Sequence, residues 1–158
     1  MTKSKRSGRS ETRQVAALPW RKTGEGLQVL MITSRETRRW VIPKGGRMIG
    51  KTDFEAAAQE ALEEAGVRGE MHPETIGAFR YAKRLRNGAE RRCVVAVYPL
   101  EVLIQLGAWP EDGERQRRWM PLAEAADAVH EPDLADLIRR FEPPAVCLLY
   151  TSPSPRDS

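Results

Sequence analysis

The sequence predicts an α/β fold: an α/β/α sandwich around a mixed β-sheet. Three observations carry that prediction. Strand-like runs lie on both sides of one strongly helical segment, two shorter helical patterns close the domain, and no internal repeat divides the chain. At 158 residues there is room for one domain with a real core, not comfortably for two. Apolar residues at 41% and charged residues at 30% fit a globular chain, and no apolar run reaches transmembrane length, so no membrane partner is expected.

Residues 1–13 are expected to be a disordered basic arm, with Lys3, Lys5, Arg6, Arg9 and Arg13 opposed only by Glu11. No apolar segment follows it, so it does not read as a secretory signal. Much of the +4 formal charge comes from this arm. It lacks interleaved aromatics, which argues against nucleic acid as a partner. Cys93 and Cys147 are far apart and without metal-ligand spacing, a usage compatible with a reducing, cytoplasmic location.

The domain is expected to span 14–142. Residues 14–17 read as a strand, 20–26 as a polar turn, and 27–33 as an apolar, β-branched strand. A charged turn at 34–38 leads to a short strand, 39–42, which Pro43 stops by lacking an N–H. Residues 44–51 read as a loop in which Gly45, Gly46 and Gly50 permit paths and close approaches closed to larger residues. Thr52 and Glu55 form a capping box, and Phe54, Ala57, Ala58, Ala61, Leu62 and Ala65 make a helical apolar stripe ended by Gly66. Its alanines favour the helix and let it approach a sheet closely.

Beyond the helix, strands are predicted at 75–83 and 90–99, joined by a hairpin turn at Asn87-Gly88, where both residues tolerate positive φ. Residues 102–106 extend the sheet, 109–114 form an acidic loop, 117–120 a short strand, and 121–129 and 132–141 two helices. Residues 143–158 are a tail. Within it, 147–158 resembles an in-frame translation of a sequencing-library adapter, and is expected to be an assembly artefact.

The chemistry concentrates on the helix. Glu60, Glu63 and Glu64 are three and four residues apart and share one side, while Glu55 lies about one and a half turns earlier. Like charges so close raise one another's pKa without a partner, and oxygen donors of this kind suit Mg²⁺ or Mn²⁺ with part of the shell left for phosphate. Lys44 in the glycine segment is placed to face an anion. Lys83, Arg84 and Arg86 cluster at the hairpin turn, and Arg91 and Arg92 begin the returning strand on opposite faces. Arg35, Arg38 and Arg39 add to the same field. This density favours a phosphate-rich substrate over a neutral sugar nucleotide. Trp40 is assigned to packing at the sheet edge, and His72 and His130 to incidental surface positions.

At these residues the chain resembles the Nudix hydrolase family. Gly45 matches the signature's opening glycine, Glu60 its central glutamate, Ala61 the aliphatic position, Glu63-Glu64 the paired glutamates, and Gly66-Val67 the close. Two positions depart from it: Lys51 stands where a glutamate is expected, and Gln59 replaces an arginine. The likeness extends over about 14–141 and is greatest to the diphosphoinositol and diadenosine polyphosphate phosphohydrolases, which share the Arg39-Trp40 approach and the Ala65-Gly66-Val67 exit.

The resemblance implies a pyrophosphohydrolase using Mg²⁺ or Mn²⁺, with Glu60, Glu63 and Glu64 as catalytic residues and metal ligands. Lys44, Lys51, Arg35, Arg39, Lys83, Arg84 and Arg91 would bind substrate. It also points to a supplementary carboxylate on the late loop, Glu111 or Glu114. Lys51 either binds a substrate phosphate or pairs with Glu55 or Glu64. The expected substrate is a nucleoside- or inositol-linked polyphosphate, with diadenosine polyphosphate favoured, turned over by a monomer or homodimer. The alternatives are an inactive polyphosphate-binding protein with this fold, or an RNA 5′-end pyrophosphohydrolase.

Overall fold

The computed structural model describes residues 11–144; the first ten residues and the tail from 145, including its predicted adapter-derived segment, lie outside the described residues. The elements are β1 (Thr12–Thr23), β2 (Gly26–Thr33), β3 (Trp40–Val41), β4 (Lys44–Gly46), α1 (Asp53–Glu60) continued by a π-helical turn (Ala61–Ala65), β5 (Val67–Met71), β6 (Gly77–Arg84), β7 (Glu90–Gln105), β8 (Arg117–Pro121), α2 (Leu122–Ala128) and α3 (Pro132–Arg139). They build the predicted mixed sheet with helices on both faces. β1 and β7 run parallel and every other pairing is antiparallel.

β1 has two partners along one edge. Its first half pairs with β4 through Gln14–Ala16, and its second half with β2 through Trp20–Thr23. On its other edge it pairs with β7 from Thr12 to Trp20. The sheet therefore divides between β2 and β4, with β1 as the shared spine. Each face then has its own core. Leu18, Val29, Met31, Phe79, Val97 and Met120 pack beneath α2 and α3. Val15, Ala17, Leu30, Ile32 and Leu100 pack beneath α1. Ala56, Ala57, Ala61 and Ala65 are fully buried there and set the helix close against the strands. Of the predicted stripe Ala57, Ala61 and Ala65 hold, whereas Phe54, Ala58 and Leu62 are only partly buried and Ala56 takes a buried place the stripe did not include. Trp40 packs against the first of these cores, as the sequence implied.

Six expectations need correction. Trp20 to Thr23 belong to β1 rather than to a turn, because the hairpin closes tightly at Gly24-Glu25 and Trp20 is buried against Phe141, ring centroids 5.8 Å apart. Lys44–Gly46 is a strand and not part of a loop, since β1 supplies its ladder. β7 does not stop at Pro99. That proline falls where β7 changes partner, between Val97 opposite Gly77 at the start of β6 and Leu100 opposite Met71 at the end of β5. β5 itself was absent from the sequence reading. It is a short, largely solvent-facing edge strand with a register shift at Arg68/Gly69, and so has no apolar alternation. At the Asn87-Gly88 hairpin only Gly88 takes positive φ, +89°. The turn is closed instead by Gly88 N–H to the Leu85 carbonyl at 3.0 Å and by the Asn87 side chain accepting from Ala89 N–H at 2.9 Å. Thr12 and Arg13 also join the sheet, two residues earlier than the predicted start of the domain.

Candidate active site

The capping box forms as expected. Thr52 Oγ1 accepts from Glu55 N–H at 3.2 Å, and Glu55 Oε1 accepts from Thr52 N–H at 2.9 Å. Glu55 is thereby occupied at the start of α1, away from the other glutamates. At the far end the helix widens into the π turn that carries Glu63 and Glu64, then stops at Gly66 with φ +69°. A helix end leaves carbonyls without partners. Here residues 106–117 supply them one by one. Glu111 N–H donates to Glu63 O at 3.2 Å, Trp109 Nε1 to Glu64 O at 3.1 Å, Arg117 Nη1 to Ala65 O at 2.8 Å, and Leu106 N–H to Gly66 O at 2.8 Å. Arg117 also lies 3.8 Å over the Trp109 ring, and a Cβ on Gly66 would come within 2.7 Å of that ring. The connection between β7 and β8 is thus the C-terminal cap of the carboxylate helix.

Glu60 and Glu64 sit side by side, close enough for one carboxyl to hydrogen-bond the other when protonated. Burial, then that bond and the Glu64 charge, push the Glu60 carboxyl up to about 8. Burial also raises Glu64, opposed chiefly by Arg115. Glu64 Oε1 accepts from Lys44 N–H at 3.2 Å, so β4 positions this carboxylate through its main chain. Gly45 leaves room for the other: a Cβ there would overlap the Glu60 carboxylate. The glycine is required by space, since its φ is not positive. Gly50, with φ +84°, is required by backbone conformation, whereas a Cβ on Gly46 would meet nothing within 4 Å. Glu63 stands apart from the pair, accepting from Gln59 Nε2 at 2.6 Å.

The loop carboxylates separate cleanly. Glu111 is drawn inward by Arg115, whose Nε lies 2.7 Å from Glu111 Oε1 and whose Nη2 lies 3.7 Å from Glu64 Oε2. Glu114 is exposed and pairs with Arg35 at 3.2 Å. Arg115 is the residue that sequence reasoning missed. Its side chain is only 9% exposed and also donates to Thr33 O at 3.0 Å. The Thr33 hydroxyl in turn accepts from Gln116 N–H at 2.9 Å, fixing the strand end. In the sequence, Arg115 is one arginine among several before β8, and nothing local marks it as the buried one.

The predicted phosphate-binding side chains scatter. Lys44 is partly buried with its ammonium 4.8 Å from the Tyr81 ring, and burial lowers its pKa against the pull of Glu64 and Glu131. Arg35 is engaged by Glu114, and Arg39 is exposed. Lys83 sits directly across from Arg91, and Arg84 from Glu90, on the exposed hairpin. Among the described residues, none of these hairpin cations makes an ion pair with the glutamates, and Arg91 reaches Thr12 Oγ1 at 3.3 Å. Lys51 pairs with neither Glu55 nor Glu64 among the described residues, and lines a separate cavity with Gln59 and Arg68. His72 caps its own turn through Glu74, and His130 is exposed.

Residues 11–141, from the first described residue to two residues past α3, match the NUDIX domain family. The chain belongs to that family. Its NUDIX domain is 36% identical over 119 residues to Nudix hydrolase 16, mitochondrial, of Arabidopsis thaliana, covering 73% of this chain and 66% of the relative. It is 28% identical over 134 residues to human diphosphoinositol polyphosphate phosphohydrolase 3-beta, covering 82% and 77%. The chain spans about half the length of two further Arabidopsis relatives, 52% of Nudix hydrolase 13 and 51% of Nudix hydrolase 12. Among solved structures, a C. elegans Ap4A hydrolase superposes with a TM-score of 0.60 at 18% identity, over 88% of this chain and 98% of that one, a likeness of fold.

Proposed function

We propose that this NUDIX chain is a divalent-metal-dependent pyrophosphohydrolase that cleaves phosphoanhydride bonds in a nucleoside- or inositol-linked polyphosphate, with diadenosine polyphosphates favoured. The observation that carries the reading is the Glu60–Glu64 pair, partly buried, each carboxyl raised chiefly by burial, with Glu60 seated in the space left by Gly45. Two carboxylates held this way are costly without a cation or a proton. Their oxygen donors fit Mg²⁺ or Mn²⁺. Glu60 and Glu64 would hold the ion, joined by Glu63 once released from Gln59. A bound ion of this kind supplies a more acidic water and neutralises phosphate oxygens.

The chain's own residues do the rest. Glu111, gripped by Arg115 next to Glu64, is placed to orient the attacking water and take its proton at a carboxylate oxygen. The water oxygen forms the new bond to phosphorus, the bridging P–O bond breaks, and the leaving phosphate keeps the bridging oxygen. Lys44 steadies Glu64 through its main-chain N–H, and its ammonium, over the Tyr81 ring, adds positive charge to the same region. The test is a screen of diadenosine polyphosphates, nucleoside triphosphates, inositol pyrophosphates and 5′-triphosphorylated RNA with Mg²⁺ or Mn²⁺, following phosphate release. Glu64→Gln should lower turnover at least about a hundredfold while the fold persists. Unchanged turnover in that variant refutes the assignment.

A non-hydrolytic polyphosphate-binding role is the second reading. It is favoured by the two departures from the signature, Lys51 in place of a glutamate and Gln59 in place of an arginine, with Gln59 holding Glu63 aside at 2.6 Å. It predicts tight polyphosphate binding with no release of phosphate. A cytoplasmic location completes the proposal; two cysteines far apart and without metal-ligand spacing are compatible with a reducing compartment, and fractionation of tagged protein tests it.

A further inference from the structure

The two positions where the chain departs from the NUDIX signature open onto one place. Lys51 and Gln59 both line a cavity of about 490 Å³ between α1 and β5, and the register shift in β5 sets Arg68 in the same wall. The helical residues involved, Glu55, Gln59 and Leu62, recur at helical spacing and form one side of α1. Glu60 and Glu64 occupy another side, toward β4 and residues 106–117. The cavity is therefore distinct from the carboxylate pair, and the hydrogen bond from Gln59 to Glu63 is the contact that joins them.

The lining has the character of an anion site. Neither Lys51 nor Arg68 has an ion-pair partner within 4 Å among the described residues. Glu55, the one acid present, accepts from Thr52 N–H and leaves both cations unpaired. Gln59 gives one amide N–H to Glu63 and retains a second donor. Leu62 and Leu100 supply an apolar floor. Two cations face a single carboxylate that Thr52 already engages, so the lining carries net positive charge that concentrates anions, and this volume lies within the range of small-molecule sites. An acid at position 51, as in the signature, would cancel that field.

We propose that this cavity binds the phosphate groups of a small phosphorylated molecule through Lys51, Arg68 and the Gln59 amide, beside the carboxylate site. Its phosphates come either from the uncleaved part of the substrate, an option that rests on the pyrophosphohydrolase reading, or from free phosphate in solution.

The test titrates inorganic tripolyphosphate into the metal-free full chain by calorimetry and follows the Gly50 and Gly69 amides by NMR. Saturable binding with shifts at both amides is expected. Lys51→Glu and Arg68→Gln should each weaken it by about tenfold or more, Lys51→Arg should retain it, and Arg139→Gln, on the opposite layer, should leave it unchanged. Thermal melts confirm that each variant is folded. Wild-type affinity in folded Lys51→Glu, or shifts confined to other residues, overturns the proposal. A raised KM at constant kcat in Arg68→Gln assigns the cavity to the substrate's phosphates; an unchanged KM alongside lost tripolyphosphate binding assigns it to free phosphate. Failure of the hydrolase reading appears separately, as no turnover of any phosphoanhydride, and leaves the calorimetric result readable.

Discussion

Replacing Arg115 with methionine removes the one guanidinium held between Glu64, Glu111 and the Thr33 carbonyl. Arg115 is 9% exposed, Glu64 12% and Glu111 23%, so the charges left behind are shielded but not sealed. Breaking a fully buried pair costs about 3–5 kcal/mol. Partial exposure of Glu111 reduces this, and a loss of about 2 kcal/mol near pH 7.5 is expected. For a domain of this size that lowers Tm by about 5–10 °C. The loss should shrink at lower pH, since burial already raises the Glu64 carboxyl and Arg115 is the chief group opposing that rise, and it should shrink on adding Mg²⁺. Thermal melts of both proteins near neutral pH and at lower pH, with and without metal, measure it. A double-mutant cycle with Glu111→Gln should give a coupling of about 1 kcal/mol or more. Equal destabilisation at both pH values would mean that Arg115 acts through packing alone, and the electrostatic argument would be refuted.

Three further outcomes are expected. Glu60 has a folded pKa of about 8 against an unfolded value near 4.5, so its contribution is complete below about 4.5 and is lost as pH rises through 8. Metal-free protein should therefore lose about 1–2 kcal/mol between pH 5 and 8.5, a figure reduced because the side chain is only half-buried, and Glu60→Gln should flatten that slope in urea titrations. Gly45→Ala should force the Glu60 carboxylate aside, costing about 1–3 kcal/mol and weakening Mg²⁺ binding measured by calorimetry. Gly66→Ala should cost at least about 1 kcal/mol in chemical denaturation, because φ +69° and the Trp109 ring both exclude a Cβ.

What the sequence made legible was local. Thr52 and Glu55 announce a helix start through their own side chains, and the alanine stripe announces the buried face. The same reading ended the helix correctly at Gly66, yet had no means of seeing the π turn before it. Gly45 was picked out for backbone paths and close approaches alike, and the second holds: its constraint is a carboxylate fifteen residues ahead that the sequence could not name. Arg115 was invisible because its partners, Thr33 and Glu64, are brought to it only by the fold. β5 escaped because an edge strand with a register shift need not alternate. The choice between Glu111 and Glu114 also required coordinates: three residues of loop separate a shielded acid from a solvated one.

The four carbonyls from Glu63 to Gly66 all end on residues 106–117. Anyone exchanging that loop with a relative's to alter substrate preference would exchange the helix terminus at the same time. A chimera should therefore carry both segments as one cassette. Insertions that leave Leu106, Trp109, Glu111 and Arg117 in register belong around Gly113, which borders none of the four bonds and where an added Cβ meets nothing within 4 Å.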